Sequence, residues 1–161
     1  MIRVQIIGCG AVGSAVAFAL ICRVVEKFSL NLVDTDADRA ESEYHDLRRA
    51  NRILGVDIPI STTREIQEAE INIICAGHRR MLGEKNQHLF DRNVPIVERI
   101  LKQVKKDSRV IIVTNPAKEF AKLYDTEFAG QRCDMLCPGR LIMHGKSFTN
   151  WGIAAEVVEM I

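Results

Sequence analysis

The sequence has 161 residues, 47% of them hydrophobic and 27% charged, which fits one soluble globular domain with a buried core and excludes a disordered chain. Its 22 basic and 21 acidic residues leave a formal charge of +1, so electrostatics gives no reason to expect nucleic acid or an anionic membrane as partner. Five cysteines, an odd number placed mostly in apolar runs, read as buried thiols of a reducing cytoplasm rather than as a disulfide framework.

The chain enters its first strand directly, Ile2 to Ile7, a short apolar run rich in β-branched residues. No leader is visible ahead of it, and the longest mostly apolar run, Ala11 to Cys22, is too short to span a membrane. Gly8, Gly10 and Gly13 follow in G-x-G-x-x-G spacing and open a helix. Gly8 suits a tight turn, Gly10 lets backbone approach a pyrophosphate, and Gly13 lets the helix pack close to the strand. The N–H groups of Ala11 and Val12 would face that phosphate at the positive end of the helix dipole. Asn31 to Asp36 reads as a second strand ending in Asp34, about 20 residues past the turn, where a dinucleotide-binding unit holds the adenosine ribose hydroxyls.

Ala37 to Asn51 is polar with apolar positions at spacings of three and four, an amphipathic helix capped by Asp36 and carrying Arg39 and Glu43 on a solvated face. Asp57 to Ser61 suggests a third strand, moved to an edge by Pro59, and Thr63 to Glu68 a short helical turn. Glu70 to Cys75 is a buried strand ending at Ala76-Gly77, where backbone can pass close to a ligand. A basic loop, His78 to Lys85, leads into a long helix, Asn86 to Lys106, with a kink or break expected near Asn93 because of Pro95. Ser108 to Thr114 is another buried strand, closed by Asn115-Pro116, and a helix is expected from Pro116 to Ala129. Asp134 to Cys137 suggests a last strand. Cys133 and Cys137 are spaced C-x3-C with no second Cys/His pair nearby, so no metal site is expected. Phe148 to Ile161 has helical spacing. Strands alternating with helices argue an α/β fold, a doubly wound parallel sheet.

The segments GCGAVGSAVAFAL, LVDTD, YHDLRRA, CAGHRRMLGEKNQHLFDRNV, VIIVTNP and KSFTNWGIA resemble, in order, those of the lactate/malate dehydrogenases. The resemblance covers about residues 1 to 117, with a short match at 146 to 161. It implies a Rossmann-type NAD-binding domain over 1–145 and a helical tail over 146–161 resembling a fragment of the family's substrate domain, the rest of which is missing. It also implies NAD as cofactor and hydride transfer to or from a small 2-hydroxy/2-oxo acid. On this resemblance Gly8, Gly10, Ala11, Val12 and Gly13 match the pyrophosphate turn, and Asp34 the ribose acid, which favours NAD over its 2′-phosphorylated form. Cys75, Ala76 and Gly77 match the strand end under the cofactor, Arg79 a basic residue near the phosphates, and Val113 and Asn115 the strand end beside the nicotinamide. Asn115 and Thr149 match residues that touch substrate.

The sequence also departs from the family. Asn86 stands where the mobile loop carries an arginine that polarises the substrate carbonyl, with Arg79, Arg80 and Lys85 nearby. Met81 falls near the specificity position, and the L-D-x-x-R segment has no counterpart. His144, in MHGKS, is the nearest match to the catalytic histidine. Two further classes of function therefore stand beside a working dehydrogenase: an NAD-binding module without hydride chemistry, and a relative that only folds and associates. A homo-oligomer is expected. The apolar stripe of Trp151, Ile153, Val157, Val158 and Ile161 would otherwise face water, and the helix Ala37 to Asn51 resembles a subunit-contact helix of the family.

Overall fold

The computed structural model describes residues 1–23, 27–116, 119–120, 123, 133–135 and 150–161. The elements are β1 (Ile2–Ile7), α1 (Ala11–Cys22), β2 (Phe28–Val33), α2 (Ala37–Leu54), β3 (Ile60–Thr63), β4 (Ile71–Ile74), α3 (Asn86–Leu101), β5 (Arg109–Ile112), β6 (Cys133–Met135) and α4 (Asn150–Met160). Among the described residues six strands form one parallel sheet in the order β3-β2-β1-β4-β5-β6. The expected doubly wound α/β architecture is what the chain adopts.

Successive residues of each central strand point to opposite faces, and both faces are covered. Ile6, Ile73 and Ile111 pack with Val16, Ile21 and Leu47 of α1 and α2 and with Val157 of α4. Ile7, Ile74 and Ile112 pack with Val97, Ile100 and Leu101 of α3 and with Phe120. All four residues of β4 are buried, which is why that strand reads as an unbroken apolar run apart from Asn72.

Asn72 belongs to a row of amides that crosses the α3 side of the sheet. Gln5 pairs in register with Asn31 on one side and Asn72 on the other. Gln5 Nε2 donates to Asn72 Oδ1 at 2.8 Å, Asn31 Nδ2 donates to Gln5 Oε1 at 3.0 Å, and Asn72 Nδ2 donates to Ser108 Oγ at 3.0 Å. Gln5 and Asn72 are both fully buried. A one-residue slip of any strand would turn its amide to the other face, so the row fixes the register of β2, β1 and β4.

Several boundaries differ from the sequence reading. β2 starts three residues earlier, at Phe28, and Asp34 lies just beyond its end. β3 is an edge strand as expected but begins at Ile60. Pro59 instead presents its carbonyl to Leu30 N–H at 2.8 Å, a pairing that needs no proline N–H. Residues 63–68 form no helical turn. The Gln67 N–H donates to Gln5 Oε1 at 2.8 Å, and Thr63 Oγ1 donates to Glu65 O at 2.8 Å, so side chains take the groups that a helix would use.

Pro95 does not break α3, which is continuous to Leu101 and ends short of Lys106. Pro95 and Asp91, whose carbonyl loses its helical partner, both lie on the exposed face, where water can replace the lost bond. α2 runs three residues past Asn51 to Leu54 and ends on Gly55 at φ 68°. Asp36 caps it as expected, accepting the Arg39 N–H at 3.2 Å, and Arg39 pairs with Asp36 rather than leaning on Glu43.

The stripe on α4 does not face water. Ile153, Ala154, Val157 and Val158 are buried against α1 and the sheet, and Arg23 donates to Val158 O at 2.6 Å. Of the stripe, Trp151 and Ile161 are exposed, with Trp151 edge-on to Phe18 at 6.3 Å. The helix expected from Pro116 to Ala129 lies largely outside the described residues, as do Cys137, His144 and Thr149.

Candidate functional site

The strand order turns back at β1, whose neighbours β2 and β4 lead to helices on opposite faces. At such a point the carboxyl ends of the strands leave a crevice, and here it is a cavity of about 570 Å³. Gly8, Gly10, Val33, Asp34, Cys75, Ala76, Gly77 and His78 are among the residues that line it.

Three glycines shape the turn for different steric reasons. Gly8 takes φ 102°, donates its N–H to Val33 O at 2.8 Å, and would place a Cβ 2.5 Å from Ala76 N. A Cβ at Gly13 would sit 1.9 Å from Gly8 O, so only glycine lets α1 start this close to the strand. Gly10 has nothing within 4 Å of the Cβ position, which leaves open space above the start of α1. The helix ladder begins at Ser14 N–H, bonded to Gly10 O at 2.9 Å, so the N–H groups of Ala11, Val12 and Gly13 precede it. No acid stands in that first turn, and an anion there would meet the positive end of the dipole.

Asp34 closes the other side. Its Oδ2 accepts the Cys9 N–H at 2.7 Å and its Oδ1 accepts the Asp36 N–H at 2.9 Å. A carboxylate offers about four lone-pair positions, so two stay available for hydroxyls in the cavity. The same contacts tie the end of β2 to the glycine turn. Burial, with Asp34's charge second, pushes the Cys9 thiol up to about 12, and burial does the same for Cys75. Both thiols stay protonated at neutral pH; Cys75 lines the crevice and Cys9 packs in the core beside it, each an inert group.

The β4 and β5 ends are joined by Asn93, a fully buried residue of α3. Its Oδ1 accepts the His78 N–H at 2.6 Å and its Nδ2 donates to Asn115 O at 2.7 Å. Thr114 Oγ1 donates to Ala76 O at 2.8 Å. Gly77 fits between them, since a Cβ there would lie 2.6 Å from Thr114 Cγ2. Val113 is buried and donates to Ile74 O, while the Asn115 side chain is exposed. The sequence reading missed this role of Asn93. Its signal was an amide at a core position of α3, in step with buried Leu89, Val97 and Ile100.

The loop ahead of α3 is held by two arginines. Glu84 accepts the Met81 N–H at 2.9 Å and both Nε and Nη2 of Arg92 at 3.0 Å, and these bonds hold its carboxyl below the usual range. Arg80 Nη2 donates to Asn86 Oδ1 at 2.5 Å, so a guanidinium is moored on the first residue of α3. Arg79 is exposed on this loop with its carbonyl bonded to Arg92, outside the cavity walls. The arginines on those walls are Arg39, Arg64 and Arg99, none of which the sequence reading singled out for the site.

Residues 2–132 match the model of a family described as lactate/malate dehydrogenase, NAD binding domain. Among curated proteins, L-lactate dehydrogenase of Pseudothermotoga lettingae is 35% identical over 118 residues, covering 71% of this chain and 38% of that protein. L-lactate dehydrogenase of Deinococcus radiodurans is 31% identical over 118 residues, with the same coverage. The malate dehydrogenase structure from Aeropyrum pernix superposes with a TM-score of 0.65 at 30% identity, over 71% of this chain and 38% of that one. The chain thus spans under two fifths of the length of these relatives.

Proposed function

Since the chain belongs to the lactate/malate dehydrogenase family through its NAD-binding domain, we propose that it binds NAD in the crevice at the ends of β1, β2 and β4 and presents it for hydride exchange with a small 2-hydroxy/2-oxo acid. The observation that carries this reading is the joining of Asp34 to the glycine turn through the Cys9 N–H. Gly8 and Gly13 leave room only for bare backbone, Gly10 keeps the space above α1 open, and Asp34 keeps free lone pairs toward the cavity. Those features suit a pyrophosphate and a ribose diol.

Bound NAD would supply the hydride acceptor or donor. The chain's own residues bind and orient. The first N–H groups of α1 hold the pyrophosphate, Asp34 holds the adenosine ribose, and Asn93 fixes the β4 and β5 ends on which the nicotinamide side would rest. Val113 and Asn115 beside the nicotinamide keep the roles that the resemblance implies; Arg79 would reach the phosphates only by swinging in from the loop outside the cavity walls. His144 as proton donor and Thr149 as substrate contact are part of the same proposal. We also place the protein in the cytoplasm, which its free cysteines Cys9, Cys22 and Cys75 favour. The exposed Phe18–Trp151 pair favours a homo-oligomer. Light scattering gives a mass above 18 kDa if so, and an 18 kDa monomer at micromolar concentration contradicts it.

A second reading, NAD binding without turnover, is favoured by Asn86, whose neutral amide supplies no charge to a developing alkoxide. Arg80, moored on that amide, is a cation able to substitute. Turnover of pyruvate and oxaloacetate with NADH separates the two. Rates of order 1–1000 per second support the dehydrogenase; NADH binding without turnover supports the module.

A further inference from the structure

Part of the cavity lining is built differently from the glycine turn. Its apolar walls are Ile66, from the segment after β3, and Ile96 and Ile100 of α3. Arg64, just past the end of β3, and Arg99, in the last turn of α3, stand on the same walls from two separate elements. Both are exposed, and neither forms an ion pair among the described residues. Two guanidinium groups on walls shared with Glu65 and three isoleucines, neither of them ion-paired among the described residues, suit a flat π-system better than a point charge.

We propose that Arg64 and Arg99 form a clamp for the adenine ring, with their guanidinium planes against its faces and edges and the three isoleucines beneath. The proposal rests on the dinucleotide reading above and names residues that set base recognition at that site. The clamp acts on the adenosine half alone. It therefore contributes equally to NADH and to ADP-ribose, which lacks the nicotinamide. A guanidinium can stack where an ammonium cannot, so lysine does not replace either arginine.

The test is calorimetric titration of the full chain with NADH, ADP-ribose and NADPH, for wild type, Arg64→Ala, Arg99→Ala, Arg64→Lys and Arg99→Lys. Both side chains are exposed, and circular dichroism verifies that each variant is folded. Each alanine variant is expected to bind NADH and ADP-ribose about tenfold more weakly, by the same factor for both ligands, and the lysine variants are expected to behave like alanine. Unchanged affinity in the alanine variants overturns the clamp. So does full recovery with lysine, which means charge alone. NADPH binding tighter than NADH, with that preference lost in the alanine variants, also overturns it, because the arginines then hold a 2′-phosphate. A wild type that binds neither NADH nor ADP-ribose removes the dinucleotide site itself, and the clamp with it.

Discussion

Asp34 at the end of β2 accepts the Cys9 N–H of the glycine turn at 2.7 Å. One carboxylate thereby braces two strand ends and is also the acid proposed to hold the ribose. A variant there changes the shape of the turn as well as the contacts to a ligand.

The glycines separate folding from binding. A methyl at Gly13 would lie 1.9 Å from a backbone oxygen, so Gly13→Ala is expected to lower the melting temperature as well as NADH affinity. Gly10→Ala meets nothing within 4 Å, so it is expected to melt like the wild type while binding NADH at least tenfold more weakly, its methyl entering the space proposed for the pyrophosphate. Thermal unfolding beside titration checks both. A Gly10→Ala protein with wild-type affinity would place the phosphate elsewhere.

Gln5→Ala is expected to be among the most destabilising polar substitutions in the chain. It removes the partner of the buried Asn72 Oδ1 and of the Gln67 N–H, while Asn31 Nδ2 keeps its bond to Thr63 Oγ1. Each buried polar group left unsatisfied costs about 1–3 kcal/mol, so a loss of about 3 kcal/mol or more is expected from urea unfolding. A loss under about 1 kcal/mol would mean that water enters and rescues the row.

Acid should weaken the fold partly through Glu70. The Arg3 guanidinium and N–H bond its carboxylate, with Arg3 Nη2 donating at 2.6 Å, and draw its pKa from 4.5 to about 2. The folded value lies below the unfolded one, so the pairing stabilises the protein above about pH 4.5, and that contribution is lost as the pH falls to about 2. Both groups are solvent-exposed, so the effect is small. Glu70→Gln is expected to unfold with a shallower pH dependence across this window. Parallel wild-type and variant curves would remove the pair from the acid response.

The sequence made the β1–α1–β2 unit legible because Gly8 and Gly13 occupy positions without room for a side chain, and Asp34 follows them at the spacing of a second strand end. The apolar runs of β4 and β5 were legible because a parallel sheet covered on both faces admits little else. What stayed hidden depends on groups distant in the chain. Residues 63–68 look helical until Gln5 takes the Gln67 N–H, and Pro95 looks like a breaker until its face proves exposed. Asn93 looks like one more polar residue of an amphipathic helix until His78 and Asn115 close on it. Arg64 and Arg99 come to one cavity from segments that no local pattern connects.

The most direct test of the account is titration of the wild type and Asp34→Ala with NADH, side by side, with Arg80→Ala as control. The account predicts saturable binding to the wild type. Asp34→Ala should be about ten- to a hundredfold weaker, since hydrogen bonds to a charged group are worth about 1.5–3 kcal/mol. Arg80→Ala, altered on the loop outside the cavity, should keep wild-type affinity. Equal NADH affinities for the wild type and Asp34→Ala, or no binding to either, would contradict it.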